Sequence, residues 1–185
     1  MAGTAGSLWR DLAALAVVLG VCAGLLRGLD VLPQAIGEPA GGRPFTRVAD
    51  VERRLGERLA IPAFFPQRYR WPPTRIRLAA RRPAAVLLAF TAIDAGMAGE
   101  RLWLAQTVGG RDEVPAGIWP AGVVLDSAGA QVAGEDGTLE RLLGEDGRVW
   151  FQVRWEQWDR RLQLRSAGPV AELLAMARSL RREGP

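Results

Sequence analysis

The sequence predicts an α+β domain behind an N-terminal transmembrane helix, with a curved antiparallel sheet flanked by one helix before it and one after, both packed on one face. Three observations lead there. Residues 12–26 (LAALAVVLGVCAGLL) run fifteen positions without a charge. Between about residues 69 and 165, apolar and polar residues mostly alternate or gather into short apolar runs, the pattern of strands. Apolar stripes of helical period appear only on either side of that stretch, at 48–59 and 170–180.

The apolar run comes first. Fifteen helical residues span about 22 Å at ~1.5 Å each, short of a hydrocarbon core of about 30 Å. Flanking residues supply the difference: if Arg10 and Arg27 snorkel to the headgroups, a helix from about Leu8 to Leu32 crosses, with Trp9 at the interface. Residues 1–32 are therefore read as a membrane anchor. Two other readings stay open, a signal peptide cleaved after Val21-Cys22-Ala23 and lipidation at Cys22. Ala16, Gly20, Gly24 and Gly28 recur every four residues and give the anchor one small face on which another membrane helix would pack. A short tail ahead of a long domain favours an extracytoplasmic domain.

Residues 33–45 form a Pro/Gly linker, and residues 46–185 the domain. Thr46 is expected to cap a helix with Val48, Val51, Leu55 and Leu59 on one stripe, ended by Pro62 and Pro66. Strands are expected from Tyr69, where Arg68 and Arg70 oppose Tyr69 and Trp71, and Arg75 and Arg77 oppose Ile76 and Leu78. Residues 84–92 read as a central strand and 101–108 as an alternating one, with shorter candidates at 118–125 and 130–132. Asp136-Gly137 and Asp146-Gly147 are good hairpin turns. Strands 149–155 and 161–165 bracket a turn at 156–159. Pro169 then opens a helix reaching Arg182, with Val170, Leu173, Leu174, Ala177 and Leu180 inward.

Composition narrows the chemistry. All 24 basic residues are arginine, and the chain has no lysine, histidine or asparagine. Ser-His-Asp and Cys-His catalysis are excluded, as are nearly all zinc, haem and copper sites, and the single cysteine lies in the anchor. No catalytic residue, metal site or cofactor is assigned, and the chain is read as a non-enzyme. Glu135/Asp136 and Glu145/Asp146 are read as solvated turn carboxylates. Charge is uneven: residues 43–82 hold eleven arginines against Asp50, Glu52 and Glu57.

Two constellations are candidates for binding. Arg68, Arg70, Arg75, Arg77, Arg81 and Arg82, interleaved with Tyr69 and Trp71, suit anionic lipid headgroups or an acidic partner, lipid being preferred over nucleic acid. Trp71, Trp103, Trp150 and Trp155 are candidates to line an apolar groove.

The stretches LAIPAFFPQRY (59–69) and RVWFQVRWEQWDRRLQLRSAGPVAELLAMARSL (148–180) together resemble an uncharacterised extracytoplasmic domain family of anti-sigma-factor-like single-span bacterial membrane proteins. The entry motif falls on Ile61, Pro62, Phe65, Pro66 and Tyr69, and the ending on Trp155 and the helix Glu172–Leu180. The resemblance covers roughly residues 46–182. It implies a sheet wrapping helices over an apolar groove, as in lipoprotein carriers and sigma-regulator sensors, and no catalytic residues. With only about eleven residues ahead of the apolar run, direct sigma-factor control is not expected. Two functions are thus expected: a membrane-anchored, extracytoplasmic binding or sensor module for an apolar ligand or partner protein, or an accessory subunit of a larger membrane complex. The expected partners are membrane lipid and, through the anchor, a membrane protein.

Overall fold

The computed structural model describes residues 42–80, 83–93, 99–111, 113–115 and 118–182. They belong to one compact unit, Ala40–Pro185. The expected anchor at 1–32, its small-residue face and most of the expected linker fall outside them. Among the described residues no helix is long and apolar enough to cross a membrane.

The fold class differs from the expectation. Strands hold 54% of the described residues and helices 14%, so the domain is a large antiparallel sheet with two short helices and not an α+β arrangement. The chain order is β1 Arg43–Phe45, α1 Val48–Leu55, β2 Ala60–Pro62, β3 Arg75–Ala79, β4 Ala84–Thr91, β5 Glu100–Val108, β6 Gly122–Val132, β7 Glu135–Gly144, β8 Val149–Gln157, β9 Arg160–Ser166, α2 Val170–Arg178 and β10 Leu180–Arg182. Eight strands form one sheet in the order β1-β3-β4-β5-β9-β8-β7-β6, and β2 pairs with β10 separately.

Three local differences account for the shift toward strand. The expected short strands at 118–125 and 130–132 resolve into Ile118, buried under the sheet, and the eleven-residue β6. The helix after the sheet stops at Arg178, because Leu180–Arg182 pairs with Pro62–Ala60 instead of continuing the coil. β1 takes the last three residues of the expected linker, Arg43 facing Leu78 and Phe45 facing Ile76.

Both sheet faces are covered over much of their width. On one face Ile76, Leu88, Phe90, Leu104, Leu162 and Leu164 pack with Val51 of α1 and with Leu173, Met176 and Ala177 of α2. Both helices therefore do lie on one face. On the other, Leu87, Ala105, Trp103, Leu142 and Trp150 are covered by Val114 and Ile118 of the β5–β6 connection. That double burial explains why β4 (AAVLLAFT) is apolar throughout: it has no solvent face.

The capping and turn chemistry is mixed. Residue Arg47, not Thr46, is the N-cap of α1, and its side chain makes no capping bond; Gly56 closes the helix in the left-handed region at φ 72°. The β6–β7 turn falls on Ala133-Gly134, and Asp136-Gly137 lies within β7. Gly137 faces Trp155, and a Cβ there would stand 2.7 Å from the Arg154 carbonyl oxygen. The second turn falls as expected, with Gly147 N–H donating to the Gly144 carbonyl at 2.9 Å.

Candidate functional site

The six candidate arginines do not form one basic strip. Arg68 is ion-paired to Glu172 of α2 and lies over the Tyr69 ring at 5.6 Å. Arg75 is ion-paired to Glu100, which also accepts the Trp103 Nε1–H at 3.1 Å. Arg77 is half-buried, and Arg70 is exposed. Arg81 and Arg82 fall outside the described residues, as do Ala16, Gly20, Gly24 and Gly28. Two members of the set are thus neutralised by carboxylates far away in the sequence.

The four candidate groove tryptophans are also separated. Trp103 and Trp150 stack at 4.2 Å on the face covered by the β5–β6 connection. Trp155 is buried on the helix-covered face. Trp71 is exposed and leans on Phe90 with ring centroids 5.9 Å apart. A cleft of about 290 Å³ lies beside Trp103 and Trp150, and one of about 620 Å³ lies beside Trp155 and Trp158. The larger is lined by Arg111, Glu135, Asp136, Arg154, Glu156 and Arg161, among others, so charges of both signs surround it. The tryptophans serve two cores and one surface, not a shared groove.

Sequence patterning missed a buried polar row. The registers put Glu140, Gln152 and Arg165 side by side across β7, β8 and β9. Gln152 Nε2 donates to Glu140 at 2.9 Å, and Arg165 donates twice to Gln152 Oε1, at 2.8 and 2.9 Å. Arg165 Nη1 also donates to the Pro120 carbonyl at 2.7 Å, and its guanidinium lies 5.0 Å from the Trp119 ring. Burial pulls the Arg165 pKa down to about 10, against the opposing pull of Glu140. It stays charged at neutral pH, so it fastens the β5–β6 connection and offers no proton to chemistry. Burial likewise lowers the Arg160 pKa, against Glu57, while the guanidinium donates to the Arg58 carbonyl at 2.9 Å and Gln106 Oε1 at 3.1 Å. The spacing of Glu, Gln and Arg on alternate strand positions was the available signal, but only the register brings them together.

No group of three or more His, Cys, Asp or Glu among the described residues could hold a metal ion. The turn carboxylate Asp146 accepts the Arg148 N–H at 3.1 Å and the Trp150 Nε1–H at 3.3 Å, a structural task.

Comparison with known proteins is blank: no family model, curated protein or solved structure matches the chain.

The two sheet edges differ sharply. β1 is three residues long and contains Pro44, which has no N–H, beside Arg43. β6 is eleven residues long with Asp126 as its one ionisable group, and among the described strands it pairs with β7 alone. Among the described residues no strand pairs with its other edge, while Ser127 N–H donates to Asp126 Oδ1 at 2.9 Å and Arg178 of α2 donates to the Gln131 carbonyl at 3.4 Å. Val123 is 66% exposed, and Val124 and Leu125 are also exposed. Val123, Leu143 and Val149 lie abreast across β6, β7 and β8, an exposed apolar row leading to that edge. A bulge between Val124 and Asp126 bends the strand there.

Proposed function

We propose that this chain is a non-enzymatic, membrane-associated binding module that takes an extended segment of a partner protein onto the open edge of β6. The observation that carries this reading is the contrast between edges, one short and blunted, the other long, nearly uncharged and apolar. An added strand would bond to backbone groups of β6 that no described strand pairs, and its side chains on one face would extend the Val123–Leu143–Val149 row. The association with a membrane rests on the uncharged run 12–26, and the non-enzymatic reading on a chain without histidine or lysine. The separation of the four tryptophans argues for a partner protein over an apolar small molecule. The resemblance to anti-sigma-factor-like domains rests on 59–69 and 148–180 alone and points to the same class of function.

Site-specific photo-crosslinking in the source cell tests it. A crosslinker at Ser127 of β6 should give a discrete adduct that disappears when Val123 and Leu125 are both replaced by arginine. The same probe at Arg43 of β1 should give none. Equal adducts from both edges, or an adduct indifferent to the arginine pair, would exclude β6 as the docking strand.

A further inference from the structure

β7 and β8 pair only as far as Gly137 and Trp155. Beyond that point each strand stays with its own hairpin, β7 paired with β6 as far as Glu135 and β8 with β9 as far as Gln157. The sheet forks there, and the cleft of about 620 Å³ lies at the fork. Glu135 and Asp136 line it from one hairpin, and Glu156, Trp158 and Arg161 from the other.

The tip of the second hairpin carries an unfavourable residue. Gln157 pairs with Arg160, which leaves Trp158 and Asp159 as a two-residue turn with φ of 53° and 59°. Such turns favour Asn-Gly, and a bulky side chain in the left-handed region is strained. Core packing does not call for the indole, since Trp158 belongs to neither core and is 38% exposed.

The charges of the cleft cancel. Arg111, Arg154 and Arg161 line it together with Glu135, Asp136 and Glu156. Each arginine is already paired: Arg111 Nε donates to Asp159 at 2.9 Å, Arg161 Nη2 donates to Glu156 at 2.7 Å, and Arg154 is ion-paired to Glu140. A charged ligand would have to displace one of these pairs. A hydroxyl need not, because it can donate to a spare carboxylate lone pair and accept from a spare guanidinium N–H at once.

We propose that this fork binds a neutral saccharide, its hydroxyls set among the paired charges and its C–H face resting on the Trp158 indole. The volume lies in the range of small-ligand sites, about 300–1,000 Å³, but such sites are mostly apolar and this lining is mostly polar, which suits a polyol. The site is separate from the proposed docking strand segment: Val123 pairs with Leu143, at the far end of β7 from Glu135.

The full chain, purified without sugar-headgroup detergent, is mixed with maltose, cellobiose, lactose and N,N′-diacetylchitobiose, each at about 10 mM, ten times a weak Kd of about 1 mM. Saturation-transfer NMR should show transfer from the protein to ring C–H protons of at least one of them. Asparagine suits the left-handed backbone at 158, so Trp158→Asn should not lower Tm, yet the saccharide Kd should rise at least about tenfold. Val123→Arg should leave that Kd unchanged. No transfer to any of the four sugars would overturn the proposal, as would an unchanged Kd in Trp158→Asn. Displacement of the sugar by an equal concentration of glutamate or choline would also overturn it, since the cleft would then be a site for ions.

Discussion

Replacing Arg160 by methionine should destabilise the domain far more than replacing Arg75 by glutamine, although each side chain is ion-paired. Arg160 is 1% exposed and donates to the Arg58 carbonyl, to Gln106 Oε1 and to Glu57. Methionine keeps most of the volume, so the loss is one of donors and not of packing. Gln106 Oε1 would keep the Ala60 N–H at 2.8 Å, and Glu57, partly exposed, would be rehydrated. The Arg58 carbonyl would lose its buried partner outright. Removing one side of a buried pair costs about 3–5 kcal/mol, and the rehydration of Glu57 favours the lower end, about 3 kcal/mol. For a domain of this size, that corresponds to roughly 10 °C in Tm. The Arg75–Glu100 pair has 40% and 18% side-chain exposure, and Glu100 retains Trp103, so Arg75→Gln should cost less than about 1 kcal/mol. Urea unfolding of both variants beside wild type measures the difference. An Arg160→Met variant within 1 kcal/mol of wild type, or equal costs for the two, would refute the assignment of Arg160 as a buried fastener of residues 57–60.

Gly137→Ala should cost about 2 kcal/mol, because its Cβ would press on the Arg154 carbonyl oxygen and on Trp155 Cβ at 3.2 Å. Gly129→Ala on β6, with nothing within 4 Å, should stay within about 0.5 kcal/mol; thermal unfolding compares them. Without histidine, stability should be flat from about pH 5 to 8, and a sigmoidal step there in urea midpoints would contradict this. Below that range Asp146 matters. Burial alone would raise its pKa, but the Arg148 N–H, the Trp150 Nε1–H and the Arg148 charge together lower it. A depressed carboxylate contributes stability above its unfolded pKa and loses it as pH falls through the folded value, so Asp146→Asn should soften the acid limb of the same titration.

The sequence made the strongly patterned elements legible. β4 announced itself as an uninterrupted apolar run, β5, β8 and β9 by alternation, and α1 and α2 by their stripes. β6 did not, because Asp-Ser-Ala-Gly-Ala is weak in strand-forming residues and is held by pairing with β7 instead. The first hairpin turn was misplaced for a related reason. Asp136-Gly137 is a better turn pair than Ala133-Gly134, but Gly137 is needed opposite Trp155, where a Cβ has no room. The end of α2 depended on β2, over a hundred residues earlier, and no local signal carries that. The same holds for the arginine cluster. Glu172 and Glu100, which neutralise Arg68 and Arg75, are brought there by the fold, so net charge over 43–82 overstated the free positive surface.

Hydrogen exchange at the β6 amides reports whether a partner strand sits on that edge. The chain would be labelled in its native membrane and, separately, after purification to homogeneity, with residues 122–132 compared to residues 43–45. A partner strand on β6 predicts that amides not bonded to β7 exchange more slowly in the membrane than in the purified protein, with β1 unchanged. Identical exchange at β6 in the two states would contradict it.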